Sequence, residues 1–417
     1  AKTRLARMMV KLLDEWVPII KGSEINDDPL SPISSLGKKI IEKDGDDTKI
    51  DWMHRSERFY EKLATPDVTV SDLIGDVDPI KAASLKLSYA DERVIHFGMI
   101  PRANRCIFVI NELPDLQARI QVSLFSILEE KEIQIRGFKL RIPLDLQFIF
   151  TANPEDYTNR GSIVTPLKDR IGSQIITHYP HTLSIAKKIT KQESDIIQSS
   201  VYIPELAHDL IEEINFAARK SEYVDFKSGV SARMSITAFE NLVSTAKRRM
   251  LINNEEKTSI RLSDFTGIIP AINGKIELVY EGEEQGADQI SFNLINEGVK
   301  TIFLRFFPEI SKLEKPNEVT PYDKIMTWFV ENGTELFIGD EFTNKEYQDS
   351  LDEIKPLDEL VKKYCKEINN EDISFIKEIL LWGLSSFKKL SKNRMLDGIE
   401  FKDSLGSYLK NLNSDQI

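Results

Sequence analysis

The sequence is short of several residue types, and each shortage excludes a class of protein. Its 417 residues include two cysteines, Cys106 and Cys365, too few for a disulfide framework, which predicts a reducing compartment, the cytoplasm. The 19 glycines and 17 prolines together fall below the usual share of about 12%, which excludes a collagen-like or linker-dominated chain. No apolar run approaches the roughly 18 residues of a membrane span. We therefore predict a helix-rich soluble protein.

Positive charge is also scarce. The chain has 55 lysines and arginines against 67 aspartates and glutamates, which gives a net charge of −12. This balance argues against a protein that coats nucleic acid or anionic membranes through bulk charge. The length predicts two or three domains.

The first part of the chain contains short apolar runs separated by helical patterns. CIFVI at 106–110, LQFIFT at 146–151 and SQIITHY at 173–179 predict strands that are buried on both faces. Between them, an apolar residue at every fourth position over 116–128 predicts a helix, and the alternation over 132–143 predicts a hairpin. Strands that alternate with helices predict an α/β sandwich on a mainly parallel sheet.

Strand patterns fade beyond about residue 183, and helical patterns follow. Gly282 and Gly286, which stand among glutamates, predict a further break in the chain. We therefore expect an α/β core over 1–182, a helical domain over 183–280, and a second helical domain over 281–417 for which the sequence predicts no chemical role.

Candidate phosphate-binding residues stand at the start of the chain. Lys2 and Thr3 open an amphipathic helix whose apolar stripe runs from Leu5 to Leu13. A Lys-Thr pair ends the phosphate-binding loop GxxxxGKT, in which the lysine reaches the β and γ phosphates and the hydroxyl binds Mg²⁺. The pair alone fits an ordinary helix start equally well, so the rest of the chain must decide.

Polar residues follow two of the predicted strands. Asn111 and Glu112 come directly after CIFVI, and Asn153 follows LQFIFT. Ligands bind at the carboxyl ends of parallel strands, where a carboxylate can activate an attacking water and an amide can orient it. A solvated strand end and an Asn-Pro turn would give the same residues.

Two arginines complete the pattern. Arg170 precedes the third predicted strand, from which a guanidinium could act in trans on a transferring phosphoryl group. Arg233 opens a helix of the helical domain, a position that the helix dipole disfavours. Each arginine alone could be a surface residue, but five such sites in this order predict a nucleotide site.

Together these segments resemble AAA+ ATPases of the MoxR and magnesium-chelatase subunit I group. The likeness covers about residues 1–280: PRANRCIFVINELPDL resembles the Walker B strand and its approach, 65–100 the insertion in helix 2, and 132–143 the hairpin before sensor 1. The resemblance implies a P-loop NTPase three-layer sandwich followed by an all-α lid. It also implies the cofactors ATP and Mg²⁺.

The resemblance assigns a role to seven positions. These are Lys2 and Thr3 as the end of Walker A, Asn111 and Glu112 as Walker B, Asn153 as sensor 1, Arg170 as the arginine finger and Arg233 as sensor 2. It implies an ATPase that remodels a protein partner as a ring, usually a hexamer, with a partner that carries a von Willebrand factor A domain.

The sequence departs from that family at three places. Cys106 stands where that subunit has glycine, and we expect it to serve only packing. Asn111 stands where Walker B has aspartate, so we expect Thr3 and Asn111 to hold Mg²⁺ weakly and hydrolysis to be slow. The Walker A glycines and the strand before them would precede residue 1. Because that strand lies in the middle of such sheets, we expect the natural polypeptide to extend upstream.

Two alternative functions remain open. Asn111 also fits a nucleotide-sensing scaffold that binds ATP but barely hydrolyses it. The basic residues of the predicted hairpin, Arg136, Lys139 and Arg141, fit a DNA motor of the minichromosome-maintenance type, although the acidic balance disfavours nucleic acid as a partner. Steady-state ATPase activity separates the scaffold from an ATPase that remodels a protein partner. A steep salt dependence of DNA binding would support the DNA motor.

Overall fold

The computed structural model describes residues 2–88, 91–135, 141–153, 161–196, 200–226, 228–310, 320–332, 335–366 and 368–403. The chain forms two compact units, residues 1–177 and residues 178–417. Each unit has its own hydrophobic core. The domain bounds that the sequence predicts stay a prediction.

The first unit combines short helices with one parallel sheet and three antiparallel ribbons. Its helices are α1 (Lys2–Met8), α2 (Ser35–Asp44), α3 (Val70–Leu73), α4 (Pro79–Leu85), α5 (Met99–Arg102), α6 (Ala118–Ser123), α7 (Phe125–Glu130) and α8 (Thr165–Arg170). Its strands are β1 (Trp16–Ile20), β2 (Ile50–His54), β3 (Phe59–Leu63), β4 (Gly75–Val77), β5 (Ile95–Phe97), β6 (Cys106–Asn111), β7 (Glu132–Gln134), β8 (Arg141–Pro143) and β9 (Leu146–Phe150).

Strand β6 is the centre of the parallel sheet, whose order is β3-β6-β9. All six residues of β6 are buried, as its unbroken apolar run predicts. Ile107 and Val109 pack with Ala6 and Val10 of the first helical segment, whereas Phe108 belongs to the larger core of this unit. Side chains of a strand alternate between its two faces, so the sheet has packed layers on both sides. The expected three-layer α/β architecture is confirmed.

The predicted strand over 173–179 is wrong. This segment has no assigned strand, and Ile175 and Ile176 are 88% and 79% exposed. The third strand of the sheet is instead β3, whose sequence FYEKL mixes apolar and charged residues. An apolar run forms a strand only where a neighbouring strand offers its backbone groups for hydrogen bonding. Within the described residues, 173–179 has no such neighbour.

Within the described part of this unit, three two-stranded antiparallel ribbons accompany the parallel sheet. β1 pairs with β2, β4 with β5, and β7 with β8. The ribbon β4-β5 and helix α4 lie inside 65–100, where the resemblance places an insertion. The β7-β8 pairing confirms the base of the predicted hairpin, but Arg136 and Lys139 at its tip lie outside the described residues.

The second unit is mainly helical. Its helices are α9 (Leu183–Glu193), α10 (Glu205–Lys220), α11 (Arg233–Ile252), α12 (Ile269–Asn273), α13 (Tyr280–Gln285), α14 (Ala287–Phe306), α15 (Asp323–Asn332), α16 (Asn344–Asp352), α17 (Lys355–Tyr364) and α18 (Ile373–Ser386). Its strands are β10 (Val201–Tyr202), β11 (Thr258–Ser259), β12 (Leu336–Gly339), β13 (Leu390–Arg394) and β14 (Gly398–Asp403).

The helices of the second unit share one hydrophobic core, which extends from Val201 to Phe401. A three-stranded antiparallel sheet of order β12-β14-β13 accompanies the helices beyond residue 281, where the sequence predicts helices only. The division of this unit near residue 280 stays a prediction. No helix in the described part of the chain has both the length and the apolar character needed to cross a bilayer.

A buried ion pair stabilises the second unit. The Arg249 guanidinium of α11 donates to both carboxylate oxygens of Asp264, at 3.2 and 2.9 Å, and their side chains are only 2% and 3% exposed. Arg248, one position earlier on the same helix, pairs with Glu341 at the surface, where the two side chains are 71% and 57% exposed. The two arginines differ in burial but share a helix.

We expect Arg249→Ala to lower the free energy of unfolding by about 3–5 kcal/mol, because it leaves a buried carboxylate without its charged partner. Arg248→Ala is the matched control and should cost about 0–1 kcal/mol. Urea unfolding followed by circular dichroism measures both. Equal destabilisation by the two variants would contradict this account of the pair.

Candidate functional site

The parallel register of the sheet brings polar residues from separate segments to one place. Glu61 of β3 is paired with Val109 of β6, and Leu63 with Asn111. Glu61, Val109 and Asn111 therefore share the face of the sheet on which Val109 meets α1. Residues of α1 and of the carboxyl end of β6 consequently meet on this face.

Lys2 and Thr3 at the start of α1 reach the ends of the two neighbouring strands. The Lys2 ammonium donates to the backbone carbonyl of Ala152 at 2.6 Å and lies 3.5 Å from Oδ1 of Asn153. The Thr3 hydroxyl lies 3.5 Å from Oδ1 of Asn111. Four of the residues that the sequence predicts for the site are thus within contact distance of one another in pairs.

The Asn111 side chain is buried and uses both ends of its amide. Its Oδ1 accepts a hydrogen bond from the Thr151 hydroxyl at 3.0 Å, and its Nδ2 donates to Oε1 of Glu61. This network fixes the orientation of the amide, because only the nitrogen can donate to a carboxylate. The amide oxygen is therefore the atom that faces Thr3.

Glu112 follows Asn111 in an uncommon backbone conformation. Its φ and ψ are 52° and 51°, the left-handed helical region, which a residue with a side chain adopts at some cost. The conformation ends β6 and begins the turn Leu113–Asp115, and the Glu112 N–H donates to the Thr151 hydroxyl at 3.3 Å. Backbone strain of this kind persists only where the surroundings impose it, and it is frequent at functional sites.

The oxygen ligands of this cluster suit Mg²⁺. The Thr3 hydroxyl, the Asn111 amide oxygen and the Glu61 carboxylate are hard oxygen donors of the kind that Mg²⁺ prefers. Among the described residues there is no group of three or more His, Cys, Asp or Glu that could hold a metal ion.

Arg170 is engaged away from this cluster. At the end of α8 its guanidinium donates to Oε2 of Glu129 at 2.8 Å, and it lies 4.9 Å above the ring of Phe125. It also donates to the backbone carbonyl of Pro166. These contacts hold the side chain against α7, whose residues include Phe125 and Glu129.

Arg233 begins α11 in the second unit, at the helix start that the sequence predicts, and its side chain is exposed. Ser235, two residues further along α11, belongs to a buried polar network. The carboxylate of Glu212 accepts hydrogen bonds from the hydroxyls of Thr190 and Ser235, at 2.5 and 2.9 Å, and thereby joins α9, α10 and α11. Burial raises the pKa of Glu212 above its usual range. The start of α11 is thus anchored within this unit.

Two residues of the cluster were not predicted from the sequence. Glu61 lies 50 residues before Asn111, and no local pattern indicates that the two side chains meet. Thr151 directly follows β9, so its place at a strand end was a signal that could have identified it. Cys106, by contrast, is a packing residue, because it is buried in the core of this unit; burial also raises the pKa of its thiol to about 12.

The Thr151 hydroxyl should be important for the order of this cluster. Thr151→Val removes the donor to Asn111 and the acceptor for the Glu112 N–H, so we expect the free energy of unfolding to fall by about 1–3 kcal/mol. Thr151→Ser keeps the hydroxyl and is the control. Urea unfolding compares the variants, and equal stability of the valine and serine forms would show that the hydrogen bonds contribute nothing.

A family of known proteins matches part of the first unit. Residues 52–171 match the AAA domain family, dynein-related subfamily. The matched segment contains β3 with Glu61, β6 with Asn111 and Glu112, β9 and the end of α8 with Arg170.

Three solved structures with some likeness to this chain are the following. A proposed ATPase from Cytophaga hutchinsonii is 21% identical, with coverage of 58% of this chain and 77% of that one and a TM-score of 0.24. The complex between subunits BchI and BchD of magnesium chelatase gives 15% identity, 68% and 87% coverage and a TM-score of 0.35. A point mutant of RuvB from Thermotoga maritima gives 12% identity, 85% and 79% coverage and a TM-score of 0.31.

At these identities and TM-scores the solved structures carry no information on activity, so the family match is the finding that identifies the domain. It confirms the expected kinship with AAA+ proteins over the segment that contains the strand ends of the site. The segment 52–171 is therefore similar to the AAA domain family, dynein-related subfamily.

Proposed function

We propose that the protein binds ATP with Mg²⁺ and hydrolyses it to ADP and phosphate. The observation that supports this most directly is the meeting of Lys2, Thr3, Asn111 and Asn153 beside the strained Glu112. A cation, a hydroxyl, a carboxylate and amides at the carboxyl ends of parallel strands are the groups that phosphoryl transfer to water requires.

Each residue has a distinct role in this proposal. Lys2, whose ammonium already faces two oxygen acceptors, moves to the β and γ phosphates when nucleotide binds, and Thr3 contributes its hydroxyl to Mg²⁺. Bound Mg²⁺ neutralises charge on the phosphates. The Glu112 carboxylate accepts a proton from the attacking water, while the Asn153 amide orients that water.

Arg170 and Arg233 act from outside this cluster. We propose that Arg170 reaches the nucleotide of a neighbouring subunit, because within its own subunit it is held on α7 by Glu129 and Phe125. A guanidinium supplied in trans stabilises the charge of the transferring phosphoryl group. Arg233 would contact a bound nucleotide, as sensor 2 does in the proteins that the sequence resembles.

A ring oligomer follows from an arginine that acts in trans, and the resemblance to the MoxR and magnesium-chelatase group supports a hexamer. We propose that this ring remodels a protein partner in the cytoplasm, and that the partner carries a von Willebrand factor A domain. The resemblance concerns the ATPase part of the chain. Experiments must identify the remodelled protein and test for any role in metal insertion.

A nucleotide-sensing scaffold is the second candidate. It is favoured by Asn111, whose neutral amide stands where Walker B has aspartate and therefore removes one negative charge from the proposed metal face. Turnover by the full-length protein that is no higher than background, together with tight ATP binding, would establish the scaffold. Clear turnover would exclude it.

We expect Glu112→Gln to lower the turnover number by about 10²-fold or more, because the amide cannot accept the proton of the attacking water. ATP binding should be retained, since Gln keeps the shape of the side chain. Glu57→Gln, which removes an exposed carboxylate in the same unit, is the matched control. Phosphate release by full-length protein measures turnover, and unchanged activity of Glu112→Gln would refute the proposed role.

Mixing two inactive variants tests the role of Arg170 in trans. We expect Arg170→Ala to lower ATPase activity at least tenfold, and Glu112→Gln to lower it at least as strongly. In mixed assemblies, an intact Glu112 in one subunit faces an intact Arg170 from the next, so activity should return. Recovery on mixing supports a shared site between subunits, whereas two variants that stay inactive when mixed argue that both residues serve one subunit.

A further inference from the structure

We infer that Glu61 supplies to the metal site the negative charge that Asn111 does not carry. The inference rests on the proposed nucleotide site and names a residue that neither the sequence patterns nor the family match assigns to it. The contact between the Asn111 amide and the Glu61 carboxylate, made across two parallel strands, is the observation that carries it.

The backbone fixes this contact. Because β3 and β6 are parallel neighbours, Glu61 is paired with Val109, and the side chain of Asn111 lies two residues further along the same face. The Asn111 amide nitrogen donates to Oε1 of Glu61, and its oxygen faces the Thr3 hydroxyl at 3.5 Å. Hydroxyl, amide and carboxylate therefore form one connected set, with the charge on the outer member.

Hydrogen bonding through the amide gives the carboxylate an effect on the metal ligand. When an amide N–H donates to an anion, electron density moves towards the amide oxygen, which becomes a better ligand for a hard cation. Partners of this kind are known to orient metal ligands and to change metal affinity by about 10–100-fold. Glu61 would thus act as a positioning and charge-supplying residue behind Asn111.

The surroundings of Glu61 leave its charge available. Its side chain is 22% exposed, and its other oxygen, Oε2, pairs with the Arg7 guanidinium at 2.8 Å. Arg7 is 61% exposed and lies one turn along α1 from Thr3, so water screens this pair and the arginine can turn away at little cost. Oε1, in contrast, accepts the hydrogen bond from the buried Asn111.

The experiment measures how strongly Mg²⁺ and nucleotide binding are coupled in the full-length protein. Titration with a fluorescent ATP analogue, in Mg²⁺ and in EDTA, gives the ratio of the two affinities. We expect Glu61→Gln to reduce this ratio by about tenfold or more, while the affinity in EDTA changes little. This readout does not depend on hydrolysis.

Two further variants separate the charge of Glu61 from its structural contacts. Glu61→Gln combined with Asn111→Asp places the carboxylate back on β6, so the coupling should return to the wild-type ratio. Arg7→Gln breaks the ion pair but keeps the Glu61 carboxylate, so the coupling should stay the same or increase. Thermal unfolding of each variant shows that it is folded.

The outcomes distinguish this inference from the proposed function. An unchanged ratio in folded Glu61→Gln, or a loss that Asn111→Asp does not restore, would overturn the role of Glu61 while leaving nucleotide binding intact. A loss of equal size in Arg7→Gln would assign the effect to the ion pair and also overturn it. A wild-type protein that binds no nucleotide in either buffer would instead refute the proposed function.

Discussion

The hydrogen-bonded pairing of β6 between β3 and β9 is the constraint on which the site depends. In this register Asn111 is at the end of β6, and Glu61 of β3 lies on the same face of the sheet as Asn111. Thr151 directly follows β9. Burial of β6 on both faces holds the register, because a shift by one residue would turn Ile107 and Val109 away from α1. The backbone hydrogen bonds of β6 thus determine both the packing of the core of the first unit and the positions of the polar residues at the ends of the strands.

The buried Asn111 amide connects the parts of the cluster. It accepts from Thr151, donates to Glu61 and faces Thr3, and Thr151 in turn accepts from the N–H of Glu112. A neutral amide can make donor and acceptor contacts at once, whereas an aspartate at this place could only accept. In the proposed nucleotide site, the Glu61 carboxylate bonded to Asn111 would therefore carry the negative charge that aspartate carries in Walker B.

Much of the fold was predictable because it depends on local patterns. The buried strands at 106–110 and 146–151, the hairpin base and the helical second unit follow from residue periodicity, which reflects burial of one or both faces. The third strand of the sheet was not predictable in this way. The segment 173–179 is apolar but has no paired neighbour in the described structure, whereas FYEKL of β3 pairs with β6 despite its charged residues. The three-stranded sheet beyond residue 335 was likewise not predicted, because the sequence patterns there indicated helices only.

The sequence by itself determined the kinds of residue at the site and their positions at strand and helix ends, among them Lys2, Glu112 and Asn153. Only the tertiary structure decided which of them meet, that Glu61 lies against Asn111, and that Arg170 is held by Glu129 of the same chain. The physical reason is that periodicity records the burial of each segment separately. Contacts between residues 40 or 50 positions apart are set by strand pairing, which no single segment encodes.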